Sequence, residues 1–204
     1  MRITRCVIGF AFVPSLLAAQ ATQSGAASAA AAPLPDAQQI TAAVLALPPE
    51  FRDNAKVLGY HADSPKLVTI REGAGPFTCL ATNPATPRFH VACYHKSLEP
   101  FMARGRQLRA QGVPDEKVDT VRFAEVKSGK IVMPKQATLY QLFGPPDSFD
   151  PATGTVKGVT GLFVIYIPGA TVASTGLSAK PSEGSPWIMF PGTPKAHIML
   201  TSKM

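Results

Sequence analysis

Charged side chains are scarce in this sequence, at 16% of 204 residues, against about 25% in an average globular protein. Proline, in contrast, is frequent, with 20 residues. Scarce charge and frequent helix breakers exclude a coiled coil and a bundle of long helices. Proline and glycine together still stay below the about 25–30% that is typical of disordered low-complexity chains. We therefore expect a folded protein with many turns.

The sequence also lacks the short motifs of common catalytic and cofactor sites. It contains no G-x-S-x-G, no H-E-x-x-H, no P-loop and no G-x-G-x-x-G, which are typical of hydrolases, zinc proteases and nucleotide-binding proteins. Its positive charges are spread along the chain, whereas nucleic-acid binding requires a concentrated basic patch. No nucleic-acid partner is expected. An envelope surface or another protein stays open as a partner.

Long apolar runs are absent except near the N-terminus. Residues 6–19 are apolar, but this stretch is shorter than the about 20 residues that span a bilayer. Arg2 and Arg5 precede it, and Ala19 and Ala21 form an A-x-A cleavage site. This pattern predicts a secretory signal peptide over residues 1–21. We expect a flexible alanine-rich leader over 22–35, one domain over 36–204, and a soluble protein without a membrane span, exported to the periplasm or beyond.

Cysteine is rare, and only two of the three cysteines remain after cleavage. Cys79 and Cys93 lie in two predicted strands, 77–81 and 89–94, which are joined by a loop. Antiparallel pairing about that loop places the two cysteines opposite each other. In an oxidising compartment this arrangement favours a disulfide over two buried thiols. In the chain-entropy model such a bridge contributes about 3 kcal/mol.

Hydrophobic patterning predicts an α+β fold with a mainly antiparallel sheet built from hairpins. One short N-terminal helix is predicted over 37–47 with Asp36 as its N-cap. One long amphipathic helix is predicted over about 98–111, with Ser97 as N-cap and Gly112 after its end. The segment 137–143 is ambiguous, and the run 162–167 is interpreted as a fully buried central strand. The predicted strands are 57–60, 66–71, 77–81, 89–94, 121–126, 130–133, 162–167, 187–190 and 196–200.

Histidines supply the candidate acid/base groups. His95 precedes the long helix and is interpreted either as a local cap or as a catalytic residue. His90 lies five residues earlier, and this odd separation directs the two rings to opposite faces of a strand. His61 and Asp63 share strand parity, so they are either an oriented acid/base pair or turn residues.

The C-terminal hairpin contains the most specific pattern. If its two strands are symmetric about Thr193, alternation places Trp187, Met189, His197 and Met199 on one face. Thioether and imidazole groups suit Cu(I), and an indole ring attracts cations. These four side chains resemble the Met, His and Trp sites of periplasmic copper and silver metallochaperones, but the resemblance extends no further along the chain. The other interpretation is a buried hairpin in which these residues fill the core.

Three functions are compatible with these features. The first is an exported binding or structural domain without a catalytic centre. The second is a periplasmic Cu(I) or Ag(I) binder that uses Met189, His197 and Met199, with Trp187 adjacent; copper is the one cofactor indicated. The third is a small enzyme with His95 or His197 as its acid/base group.

Overall fold

A computed structural model describes residues 32–203. Within this range the chain has an α+β fold with a mainly antiparallel sheet of eight strands. The predicted fold class is therefore confirmed. The signal peptide predicted over 1–21 lies outside the described residues, as does most of the leader predicted over 22–35.

The large sheet has the strand order β2-β1-β3-β4-β5-β8-β10-β9, and two further strands, β6 and β7, form a separate small hairpin. All neighbours in the large sheet pair antiparallel except β1 and β3. The strands are β1 (Lys56–His61), β2 (Ser64–Arg71), β3 (Phe77–Leu80), β4 (Phe89–His95), β5 (Ala137–Gly144), β6 (Phe149–Asp150), β7 (Thr155–Val156), β8 (Thr160–Tyr166), β9 (Trp187–Met189) and β10 (His197–Lys203). The helices are α1 (Asp36–Val44), α2 (Pro49–Arg52), α3 (Glu99–Ala110), α4 (Asp115–Lys127) and α5 (Val172–Thr175), and a 3₁₀ turn (Lys96–Leu98) precedes α3.

The two predicted helices are present, but their N-caps differ from the prediction. Pro35 precedes α1, and Asp36 is its first residue, where its charge favours the helix dipole. Ser97 does not cap α3, because its side chain contacts the His95 ring instead. Gly112 follows α3 with a φ of +78°, as the predicted position after the helix requires.

The predicted hairpin at 121–126 and 130–133 is wrong. Residues 115–127 form α4, and residues 130–133 have no regular structure. Two acidic residues, Asp115 and Glu116, favour a helix start directly after Pro114. Val118 and Arg122 are the buried residues of α4, and their spacing of four is a helical period.

The first core lies on one face of the sheet, between the strands, α1 and the β6–β7 hairpin. It contains the predicted disulfide: Cys79 is paired directly with Cys93 in the β3–β4 ladder, and both residues are fully buried. The second core lies on the opposite face, where Tyr94, Leu98 and Met199 are buried.

The run 162–167 contributes to β8, which lies between β5 and β10 as a central strand. It is not fully buried, however, because Phe163 and Ile165 are each only partly covered. These two side chains are on the face opposite Val164, which belongs to the second core. Helix α1 packs mainly on β1 to β4 and covers that half of the sheet rather than β8.

Candidate functional site

The β9–β10 hairpin has the register that the sequence predicts. His197 is paired with Met189, and Met199 is paired with Trp187. On its other side β10 pairs with β8, so that His197 also lies opposite Tyr166 and Met199 also lies opposite Val164. The face that bears the second core therefore carries two cross-strand rows, Met189–His197–Tyr166 and Trp187–Met199–Val164.

The turn between β9 and β10 is fixed by hydrogen bonds. The Thr193 hydroxyl donates to the carbonyl of Phe190 and accepts from the amide of Lys195. Phe190 has a φ of +53°, a conformation that costs a bulky residue about 1–2 kcal/mol. Its ring lies 5.8 Å from that of His197 and 4.4 Å from the Lys195 ammonium. The strained residue thus packs directly against the candidate site.

His197 is 5% exposed, and its imidazole is held in one orientation. Nδ1 donates a hydrogen bond of 2.6 Å to the carbonyl of Lys195. Burial lowers the pKa of His197 below its ordinary value, and the charge of Lys195 acts in the same direction. The ring is therefore neutral at pH 7 with its proton on Nδ1, so that Nε2 carries a free lone pair.

The two rows border a hollow of about 260 Å³. Met189, Met199 and His197 all line it, so the structure brings the three predicted metal ligands together around one space. Trp187 does not line the hollow; it packs against the second core beside Met199. The other polar groups in the lining are Gln141, Tyr166 and Lys195.

An ion-pair network ties this hairpin to α4. Lys195 Nζ lies 2.8 Å from Asp119 Oδ2, and Asp119 also accepts from the buried guanidinium of Arg122. Burial opposes ionisation of Asp119, but the hydrogen bonds from Lys195 and Arg122 outweigh it and keep the pKa of that carboxyl below its usual value. Because Lys195 also supplies the carbonyl that orients His197, α4 supports the site indirectly.

The remaining histidines lie elsewhere. His95 is a local cap, because its Nδ1 accepts from the amide of Ser97, and its ring packs edge-on against Phe77. His90 lies on the opposite face of β4, where its Nε2 is 2.7 Å from Gln141. His61 faces Asp36 at 3.4 Å.

Asp63, the acid/base partner considered for His61, lies in the turn between β1 and β2. Between residues 32 and 203, no hydrogen bond or ion pair joins His61 to Asp63.

Three lining residues of the hollow, Gln141, Tyr166 and Lys195, are not singled out by the sequence. Gln141 and Tyr166 lie on β5 and β8, which reach the site only through the order of strands in the sheet. Burial raises the pKa of Tyr166 to about 12, so this phenol stays protonated at neutral pH. Lys195 was the one residue with a local signal, since it lies two positions before His197.

Comparison of this chain with known protein families, with curated proteins and with solved structures finds no match. None of the helices between residues 32 and 203 is long and apolar enough to cross a membrane. The same part of the chain contains no group of three or more His, Cys, Asp or Glu side chains that would hold a metal ion.

Proposed function

We propose that this protein is an exported binding protein whose hollow at the β9–β10 hairpin holds a soft monovalent metal ion, Cu(I) or Ag(I). The ligands would be the two thioether sulfurs of Met189 and Met199 and Nε2 of His197. The observation that carries this proposal is that all three side chains line one hollow, with the imidazole neutral and oriented.

The donor set matches soft metal ions. Thioether sulfur is a neutral, polarizable donor that favours Cu(I), and imidazole binds copper through its unprotonated nitrogen. Histidines that bind metals usually donate their other N–H to a carbonyl or carboxylate, which fixes the tautomer. The hydrogen bond from His197 Nδ1 to the Lys195 carbonyl is of this kind.

The donor set favours a soft monovalent over a divalent ion. Lys195 lines the hollow, but its ammonium is paired with the Asp119 carboxylate at 2.8 Å, which offsets its charge. Two of the three proposed ligands are thioethers, which suit Cu(I), whereas Zn(II) is bound by thiolate, imidazole and carboxylate ligands. We therefore expect Ag(I) and Cu(I) to bind in preference to Zn(II).

Export is supported by two independent features. The first is the predicted signal peptide, with Ala19 and Ala21 at its cleavage site. The second is the disulfide between Cys79 and Cys93, a bond that persists in oxidising compartments. An exported protein, in the periplasm or outside the cell, would also encounter copper or silver ions before they reach the cytoplasm.

The test is a titration of the purified chain over residues 22–204. Calorimetry with Ag(I), and competition against a chromogenic Cu(I) chelator, should each give one bound ion per chain. Met189→Leu, Met199→Leu and His197→Gln should each weaken binding by at least about tenfold, since each removes one ligand. Absence of binding, or affinities unchanged in all three variants, would overturn the proposal.

Two matched controls come from the same core. Met102 and Met133 pack against the second core but do not line the hollow. Met102→Leu and Met133→Leu should leave the affinity for Ag(I) unchanged. A loss in these variants equal to that of Met189→Leu would mean that thioethers bind silver without regard to their position.

A second candidate function is a small enzyme with His197 as its general base. It is favoured by the free Nε2 of His197 at the wall of a hollow that also contains the polar groups of Lys195 and Gln141. The lowered pKa suits a base better than an acid at neutral pH. His95 is less suited to this role, because its Nδ1 already caps the 3₁₀ turn.

The two functions predict opposite patterns among the variants. A hydrolytic activity on chromogenic esters that is lost in His197→Gln and retained in both methionine variants would favour the enzyme. Metal binding lost in all three variants, without any activity, would favour the metal site. If the chain binds neither metal nor substrate, the remaining hypothesis is the structural role.

A further inference from the structure

A larger hollow, of about 350 Å³, lies on the other face of the sheet beside the first core. Its walls come from the start of α1, from the loop between β3 and β4, and from the segment around β6. It shares no lining residue with the hollow at the β9–β10 hairpin. Its volume falls at the lower end of the about 300–1,000 Å³ that is typical of small-molecule sites.

The base of this hollow is apolar. Phe89 and Phe149 are both buried, and their rings stack with centroids 6.1 Å apart and an angle of 12° between the planes. Ala42 and Ala81 are buried beside them, and Leu34 contributes an exposed aliphatic side chain. A ligand would therefore meet a surface without charge, which favours a hydrocarbon or aromatic body.

The polar side chains in the lining are already hydrogen-bonded within the protein. The amide of Gln39 donates to the carbonyls of Leu34 and Tyr60 and accepts from the amide of Tyr60. The Thr82 hydroxyl accepts from the amide of His90, and the Asn83 side chain accepts from the amide of Ala85. Each of these groups therefore has at least one partner within the protein.

Arg88 is the exception. It is the one charged residue in the lining, it is exposed, and no ion pair or hydrogen bond of its side chain occurs among the described residues. A guanidinium presents parallel N–H groups that bind a carboxylate in a bidentate manner. One free cation beside an apolar base is complementary to a molecule with one anionic end and an apolar body.

We propose that this hollow binds an amphipathic carboxylate, a medium-chain fatty acid, with the carboxylate on Arg88 and the apolar chain over Phe89 and Phe149. The site is independent of the metal site because the two hollows lie on opposite faces of the sheet and have no residue in common.

The experiment is calorimetry of the chain over residues 22–204 with sodium decanoate below its micelle concentration, and with 1-decanol as the uncharged analogue. Decanoate should bind at one site, at least about tenfold more tightly than decanol, because the Arg88 guanidinium forms charge-assisted hydrogen bonds with a carboxylate that the hydroxyl of decanol cannot form. No binding of decanoate, or equal affinities for the two ligands, would overturn the proposal.

Variants separate the two parts of the site. Arg88→Gln should weaken decanoate by about tenfold and leave decanol unchanged, whereas Thr86→Trp should block both ligands by filling the rim. Lys66→Gln, which removes an exposed cation from β2, is the matched control and should bind decanoate as the parent does. An equal loss in Arg88→Gln and Lys66→Gln would show that only net charge matters and would overturn the assignment to Arg88.

Discussion

The two cores on opposite faces of the sheet are built from different side chains. The first core contains the disulfide, aromatic rings and small aliphatic residues, and no methionine. Every methionine between residues 32 and 203 belongs to or packs against the second core: Met102, Met133, Met189 and Met199. Methionine is flexible and polarizable, whereas branched, aromatic and disulfide-bonded residues pack in defined geometries. The first core therefore contains the covalent link, and the second contains the polarizable thioethers of the face on which the metal site is proposed.

The largest effect should come from removing an aromatic ring from the first core. Phe77 is 5% exposed and packs against Phe51, Tyr140 and His95. Phe77→Ala should lower the free energy of unfolding by about 3–5 kcal/mol. Met102→Leu in the second core should cost less than about 1.5 kcal/mol, because the swap conserves volume. Urea denaturation followed by circular dichroism measures both. A loss below about 1.5 kcal/mol in Phe77→Ala would contradict close packing around this ring, and a larger loss in Met102→Leu would contradict tolerance of a volume-conserving swap.

The disulfide should have the next largest effect. It joins residues 14 positions apart, and removing a bridge across a loop of this size costs about 3 kcal/mol in the chain-entropy model. In the double variant Cys79→Ala and Cys93→Ala the free energy of unfolding should be lower by that amount, so the protein should unfold at a lower urea concentration. Its affinity for Ag(I) should nevertheless equal that of the parent below the unfolding transition. A parallel loss of silver affinity would show that the two cores are coupled.

Asp119→Asn should have an intermediate effect, because it acts on the contact between α4 and the β9–β10 hairpin. The substitution leaves the buried Arg122 without its carboxylate and releases Lys195. A buried ion pair that loses one partner costs about 3–5 kcal/mol, and Asp119 is 30% exposed, which reduces the expected loss to about 1–2 kcal/mol. Thermal unfolding measures this loss. Lys130→Gln, which removes an exposed cation that lies beyond the end of α4 and pairs with Glu125, should change stability by less than about 0.5 kcal/mol.

The smallest effect should be a pH dependence caused by His197. Because burial lowers its pKa in the folded state, the unfolded chain binds more protons around and below the ordinary histidine value of about 6.5. The free energy of unfolding should therefore fall as pH decreases through that value. His197→Gln should flatten this part of the stability profile. A profile that stays the same in His197→Gln would contradict a buried neutral imidazole.

The features that the sequence predicted correctly involve strands that follow one another directly along the chain. Cys79 faces Cys93, and Met189 faces His197, because in each hairpin the two strands pair symmetrically about one loop, of eight and seven residues respectively, and strand alternation fixes the face. The local pattern alone was therefore enough to place the three ligand candidates for the metal site on one face. The local pattern could not show whether these side chains border a hollow, because that depends on which residues pack above them.

The features that were missed depend on distant contacts. The segment 121–126 alternates like a strand, but its neighbours Asp115, Glu116 and Val118 make it the second half of a helix that packs on α3. Gln141 and Tyr166 become neighbours of His197 only because β5, β8 and β10 are adjacent in the sheet. The pairing of β1 with β3 in parallel likewise brings together strands that are not consecutive. Local periodicity contains no information about such an order of strands.

The position of β9 at the edge of the sheet has a consequence for the kinetics of binding. This strand is three residues long, pairs with β10 on one side, and is otherwise fixed by a hydrogen bond from the amide of Ile188 to Ser178. Met189 therefore lies on a short strand at the edge of the sheet, while His197 and Met199 lie on a strand that is paired on both sides. Local detachment of β9 would remove one ligand and leave two in place, so the opening rate of this strand, measured by amide exchange at Ile188, would set the residence time of a bound ion.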